Sequence, residues 1–193
     1  MKTVNTSDVD IVAAFKAPES KAVVTWNPQL MEVKAETTAT EVFDSSKIPG
    51  EIEDLMVVNT ATLKDNPDLG KALVGIWYET IALMQADSDA GKAAREEMGK
   101  LSGTDLAGFE AQLKTTRMFY TPQDALAFTT GADLPKIMDL VRTFCFEHNL
   151  LGENVASPDA VGIETPSGVL GDKANIKLRF DPTYMQMAAD GKL

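Results

Sequence analysis

The chain has 193 residues, 29 acidic against 18 basic side chains for a formal net charge of −11, with 44% hydrophobic and 24% charged residues. That balance excludes wholesale disorder, collagen-like repeats and a disulfide-stapled miniprotein. The acidic field opposes nucleic acid and anionic membrane surfaces as partners, and a single Cys (Cys145) with a single His (His148) excludes an internal disulfide and metal enzymes built on several such ligands.

The length suits one domain or two small lobes, and surface scaling predicts a folded area of roughly 9,000 Å², with about 70% of the unfolded surface buried. No stretch of about 18 uncharged apolar residues occurs to span a bilayer. The opening Met1-Lys2-Thr3-Val4-Asn5-Thr6-Ser7-Asp8 lacks the apolar core of a signal peptide.

In chain order, Ser7 with Asp10 resembles a capping box opening a short helix through Phe15. Ala22-Val23-Val24-Thr25-Trp26 is short, apolar and β-branched, so it reads as a buried strand. Asn27-Pro28 then supplies an N-cap and an N1 proline for a helix through about Lys34. Val42-Phe43 and Leu55-Met56-Val57-Val58 read as further short strands, with a turn at Ile48-Pro49-Gly50. After Asn66-Pro67, the spacing of Leu69, Leu73, Ile76, Trp77, Thr80 and Leu83 or Met84 predicts a helix of about 19 residues with that stripe buried.

Ser88-Asp89 opens a polar helix to about Lys100, Thr104-Asp105 a shorter one, and Thr121-Pro122 with Asp124 repeats the cap logic. Residues 134–150 form the last long helix, its buried stripe running through Leu134, Ile137, Met138, Val141, Phe144 and Cys145, with Gly152 as its left-handed cap. Beyond it Gly168-Val169-Leu170-Gly171-Asp172 reads as a loop, and the alternating Asn175-Ile176-Lys177-Leu178-Arg179-Phe180 as a half-exposed strand. Seven helices and four short strands make this an α/β chain rich in helix.

Few residues carry chemistry. Cys145 and His148 share a helix face, but Cys145 falls on the apolar stripe and His148 suits the negative end of the helix dipole. No Gly-rich phosphate loop, Gly-x-Ser-x-Gly or Ser-x-x-Lys signature occurs. The most informative constellation is Thr25-Trp26-Asn27-Pro28. A strand end carrying hydroxyl, indole and amide into a helix N-terminus offers stacking, hydrogen bonds and free backbone N–H groups. The competing reading makes Trp26 a core residue and Asn27 only a cap. A second cluster, Thr115-Thr116-Arg117-Met118-Phe119-Tyr120, reads either as an interhelical linker with Phe119 packed inside or as a ligand contact.

The succession of Asp10-Ile11-Val12-Ala13-Ala14-Phe15, Ala22-Val23-Val24-Thr25-Trp26-Asn27-Pro28, Phe43-Asp44-Ser45-Ser46-Lys47-Ile48-Pro49-Gly50 and Asn66-Pro67-Asp68-Leu69 resembles the solute-binding proteins of ABC importers of the nitrate, sulfonate and taurine type. Residues 114–122, 139–152 and 171–193 resemble more narrowly the urea-carboxylase-associated, urea-transport subgroup. The resemblance covers nearly the whole chain but only the C-terminal portion of such a protein. It implies a periplasmic-binding-protein-like (type II) two-lobe fold, with residues 1–58 the remainder of one lobe and 59–193 a mostly helical return segment of the other.

The function so implied is capture of a small nitrogen-containing solute, urea or a guanidinium-like cation, in an interlobe cleft, followed by docking on a membrane permease in the periplasm. By the resemblance Trp26 and Asn27 face the solute, Thr25 and Pro28 shape the turn, and Thr116 and Tyr120 are further contacts. Neither catalysis nor a metal or other cofactor is implied. Two rival readings are a thiamine-pyrimidine-precursor synthase of the same fold, which needs a reactive His or Cys arrangement, and an interaction module that pairs with another chain through exposed sheet edges.

Overall fold

A computed structural model describes residues 2–193 and shows a mixed α/β chain, with nine α-helices and one three-stranded sheet among the described residues. The helices are α1 (Ile11–Lys16), α2 (Gln29–Ala35), α3 (Thr60–Asp65), α4 (Pro67–Gln85), α5 (Asp89–Leu101), α6 (Leu106–Thr115), α7 (Pro122–Thr130), α8 (Leu134–Glu147) and α9 (Thr183–Ala189). The strands are β1 (Gly162–Thr165), β2 (Gly168–Leu170) and β3 (Ile176–Arg179). No described helix is long and apolar enough to cross a membrane. Contacts group the chain into two units, one holding everything up to Asp44 together with Ala86–Met118, the other Ser45–Gln85 with Phe119–Leu193. Each unit thus draws on two separate stretches of sequence, whereas the sequence reading places one boundary at 58.

In the first unit, α5 and α6 form a helical hairpin whose turn is written in its sequence. Ser88 and Asp105 accept from Gly91 N and Gly108 N as N-caps. The end of α5 is a Schellman motif, with Thr104 N donating to Gly99 O at 2.8 Å across Gly103 at φ +78°. Arg95 joins the two helices through Glu110 at 3.0 Å and also donates to Ala86 O. The α1–α2 pair is tied by Lys16 to Glu36 at 2.8 Å, and only Val33 of these two helices is buried.

The second unit carries the hydrophobic core. Leu134 is 0% exposed and packs with Met138 and Ile163, flanked by Phe128, Ile137, Val141, Leu170, Leu178 and Phe180. The sheet order is β2-β1-β3, with β1 antiparallel to β2 and parallel to β3. The β1–β2 connection is a tight hairpin in which Thr165 Oγ1 accepts from Ser167 N and donates to Gly168 O. Arg142, near the end of α8, spans Asp139 on its own helix and Asp159 beyond it, at 2.6 and 2.5 Å. On the other side α9 lies against α4 and α7, and the Tyr184 ring occupies the space a side chain at Gly70 would need.

Several expectations are corrected. Residues 22–26, 42–43 and 55–58 form no strand and belong to no ladder. A β-branched run favours extended backbone, but a strand also requires a partner to take its N–H and C=O groups. The strands formed instead, β1 and β2, lie partly in what reads as loop, and α3 and α9 are further elements the periodicity does not announce. The buried face of α4 runs through Gly70, Ile81 and Met84, while Ile76 is 62% exposed and Trp77 and Leu83 also face outward. This helix is apolar on more than one face, and its packing against α9 selects which face is covered.

On α8, Phe144 is 54% exposed rather than buried, and Cys145 is only half-buried. The Phe144 ring stacks instead on His148 one turn on, with centroids 4.2 Å apart. The left-handed residue ending α8 is Asn149 (φ +58°), not Gly152, because Leu150 N closes the Schellman bond to Cys145 O there. Val24, Val42 and Phe43 in the first unit and Val57, Ile76 and Leu140 in the second are apolar and exposed.

Two glycines test this packing with opposite signs. A Cβ on Gly162 would lie 2.2 Å from the Asp172 carbonyl oxygen, and no rotamer relieves a clash with backbone. Gly162→Ala is expected to lower stability by about 1–3 kcal/mol. Gly75, inside α4, has nothing nearer than Leu193 Cδ1 at 3.9 Å. Gly75→Ala is expected to raise stability by about 0.5–1 kcal/mol, and chemical-denaturation midpoints of both variants check the pair.

Candidate functional site

The Thr25-Trp26-Asn27-Pro28 segment leads directly into α2. A cis peptide joins Asn27 to Pro28, and the residue in the N-cap position is Pro28, which has no side chain able to cap. Backbone bonds from Leu30 N to Trp26 O and from Met31 N to Pro28 O start the helix. Asn27 is therefore not a cap. Its side chain reaches 88 positions along the sequence, donating from Nδ2 to Thr115 Oγ1 at 3.4 Å.

At the end of α6, Thr115 and Thr116 both donate their hydroxyls to Gln112 O, at 2.9 and 3.0 Å. Gln112, Thr115 and Thr116 are spaced i, i+3, i+4 and share one face of the helical turn. The cluster leaves two polar atoms unsatisfied. Asn27 Oδ1 and Gln112 Nε2 are both buried without a hydrogen-bond partner. An amide atom in that state costs about 1–3 kcal/mol relative to a satisfied one, and an ordered water, an ion or a ligand can each complete the bond.

Trp26 is 62% exposed. The core reading of this residue is thereby corrected, along with the cap-only reading of Asn27. An indole left in water beside an amide with spare hydrogen-bonding capacity offers a stacking surface and a polar anchor from adjacent positions. Thr25 and Pro28 are half-buried beside them, and Thr116 is exposed at the C-cap of α6. Tyr120 belongs to the second unit, in the segment entering α7, next to Phe119, whose ring lies 5.2 Å from that of Phe128. The structure thus brings together Trp26, Asn27 and the end of α6. Thr115 lies in the second cluster the sequence singles out, but its bond to Asn27 and the involvement of Gln112 go unannounced, because nothing local signals an interaction across 88 residues.

Other polar features have structural duties. A cavity of about 460 Å³ opens between α5 and α6, lined by Glu96, Lys100, Thr104, Asp105, Leu106 and Glu110 among others. Glu96 pairs with Lys100, Glu110 with Arg95, and Asp105 caps α6. Comparison with protein-family models, curated proteins and solved structures finds no match.

Glu53, in the second unit, is a third unsatisfied group. Its Oε1 is buried without a partner, and burial raises its pKa above the ordinary 4.5. A carboxyl whose folded pKa is raised binds its proton more tightly folded than unfolded. Its contribution is therefore fully present below about pH 4.5 and is lost as pH climbs through the folded value. Glu53→Gln is accordingly expected to raise the melting temperature at pH 7 and to give a smaller gain near pH 4. An equal gain at both pH values in differential scanning calorimetry would contradict this account.

Proposed function

We propose that the chain is the substrate-binding component of an ABC importer, capturing a small nitrogen-containing solute such as urea or a guanidinium-like ion. On this reading it corresponds to the C-terminal portion of a two-lobed, type II binding protein. It works in the periplasm without catalysis, closes around one solute and docks on a membrane permease. The solute contacts are Thr25, Trp26, Asn27, Pro28 and Thr116.

One observation carries the reading. The Thr25-Trp26-Asn27-Pro28 motif, which resembles the family's cleft-facing turn, presents an exposed indole next to an amide whose oxygen is buried and unpaired. A planar nitrogen compound fits such a place, stacking on the indole face while donating N–H to the amide oxygen.

A thermal melt with urea, guanidinium, nitrate or taurine at low millimolar concentration, guanidinium against a matched salt, tests it. A ligand at a hundredfold excess over its Kd adds about 2.7 kcal/mol, which for a chain of this size raises Tm by roughly 5–10 °C. The rise is expected with a nitrogen-containing solute and is expected to vanish in Trp26→Ala. A cooperative melt that none of the solutes moves would refute the proposed function.

A further inference from the structure

We infer that the outward seam of α4 is a docking surface for an amphipathic helix of another protein, one that carries basic residues beside its apolar stripe. The seam lies wholly in the second unit, and its use does not depend on solute capture.

Helix α4 carries two seams side by side. Gly70, Val74, Trp77, Ile81 and Met84 recur at alternating steps of four and three residues. Leu69, Leu73, Ile76, Thr80 and Leu83 do the same one position earlier. At about 100° per residue the two sets occupy adjacent faces of one helix. The first seam is closed. Gly70, Ile81 and Met84 are buried, and the Tyr184 ring of α9 sits where a side chain at Gly70 would be.

The second seam is open. Ile76, Thr80 and Leu83 are exposed, Leu69 and Leu73 are half-buried, and Trp77 stands at the border of the two faces with 45% of its surface in solvent. Alternating three- and four-residue steps are the spacing that packs knobs into the holes of a facing helix. Anchors at such positions are how a groove or helix face reads an amphipathic partner. From Leu69 to Leu83 the seam is about 21 Å long, four turns of helix.

Charge decides the occupant. On the side away from α9 the seam is bordered by Asp68 and Glu79, both exposed. Asp68 pairs with Lys71, which lies farther round the helix, and Glu79 has no ion-pair partner among the described residues. The whole chain carries −11. A helix with Lys or Arg flanking its apolar stripe is steered to this rim and pairs with it on arrival. A second copy of the chain would instead set an equal negative charge and the same acidic rim against the first, and an acidic helix meets the same repulsion.

The chain has 2 Trp, so Trp26→Phe, at an exposed position of the first unit, leaves Trp77 as the reporter at the seam. The probe is a synthetic peptide of four helical turns, with Leu at its heptad a and d positions and Lys elsewhere. Its twin has Glu in place of Lys. The Leu/Lys peptide is expected to move Trp77 emission to the blue with a saturable isotherm, and the Leu/Glu peptide to leave it in place. Ile76→Gln and Leu83→Gln, both at exposed positions, are each expected to weaken Leu/Lys binding by about tenfold, as loss of one apolar anchor does. Leu140→Gln, exposed on α8 outside the seam, is expected to change nothing. Glu79→Gln is expected to weaken binding by roughly twofold at low salt and to flatten its salt dependence. Equal binding of both peptides overturns the basic partner. Leu/Lys binding indifferent to Ile76→Gln and Leu83→Gln, or no binding at all, overturns the docking surface. A concentration-dependent dimer in sedimentation velocity that Ile76→Gln abolishes gives the seam to a second copy and overturns the inference as well.

Discussion

Leu134, closed on all sides by Met138, Ile163 and the half-buried ring of apolar residues around them, is the contact on which the second unit depends. It sets α8 against β1, the central strand of the sheet, and β1 in turn pairs with both β2 and β3. The approach of these elements is close enough that Gly162 lies against the Asp172 carbonyl, and Arg142 spans from α8 to Asp159. Remove the apolar contact and the salt bridges have little to align, since ion pairs at exposed carboxylates contribute about 1 kcal/mol or less.

The first unit is held differently. Its α5–α6 hairpin rests on caps, a Schellman turn and the Arg95–Glu110 pair, with Val33, Gly91 and Gly99 as its buried residues in helices. Few large apolar side chains are closed off there, so polar contacts carry more of the organisation. The bond from Asn27 to Thr115 is one of them. Asn27 spends its N–H on Thr115 and leaves Oδ1 unsatisfied, and Gln112 Nε2, on the same helical turn as Thr115, is also without a partner. An apolar cluster would have satisfied packing without leaving such valences.

Sequence reasoning read the local grammar of this chain well. Ser88, Asp105 and Thr121 cap the helices their positions announce, and the Asn66-Pro67 start with 19 residues of periodicity matches α4. The alternating segment near 176 is β3. Each signal is encoded within one helical turn or one strand, where covalent neighbours decide the outcome. The errors share a cause as well. The run at 22–26 satisfies strand propensity but has no ladder partner, α4 carries apolar residues on two faces, and Phe144 finds a ring four residues away instead of the core.

For the candidate site, the sequence by itself determined that Thr25-Trp26-Asn27-Pro28 places an indole and an amide at the entry to a helix, because composition and spacing there are local properties. It also determined the acidity of the chain and its scarcity of His and Cys. Only the tertiary structure decided that Trp26 stays in solvent, that Asn27 reaches Thr115 rather than its own helix, and that Gln112 is left with a spare donor. The physical reason is that burial and hydrogen-bond satisfaction are sums over everything that surrounds an atom. Residues 88 positions apart enter that sum with no trace in either local sequence.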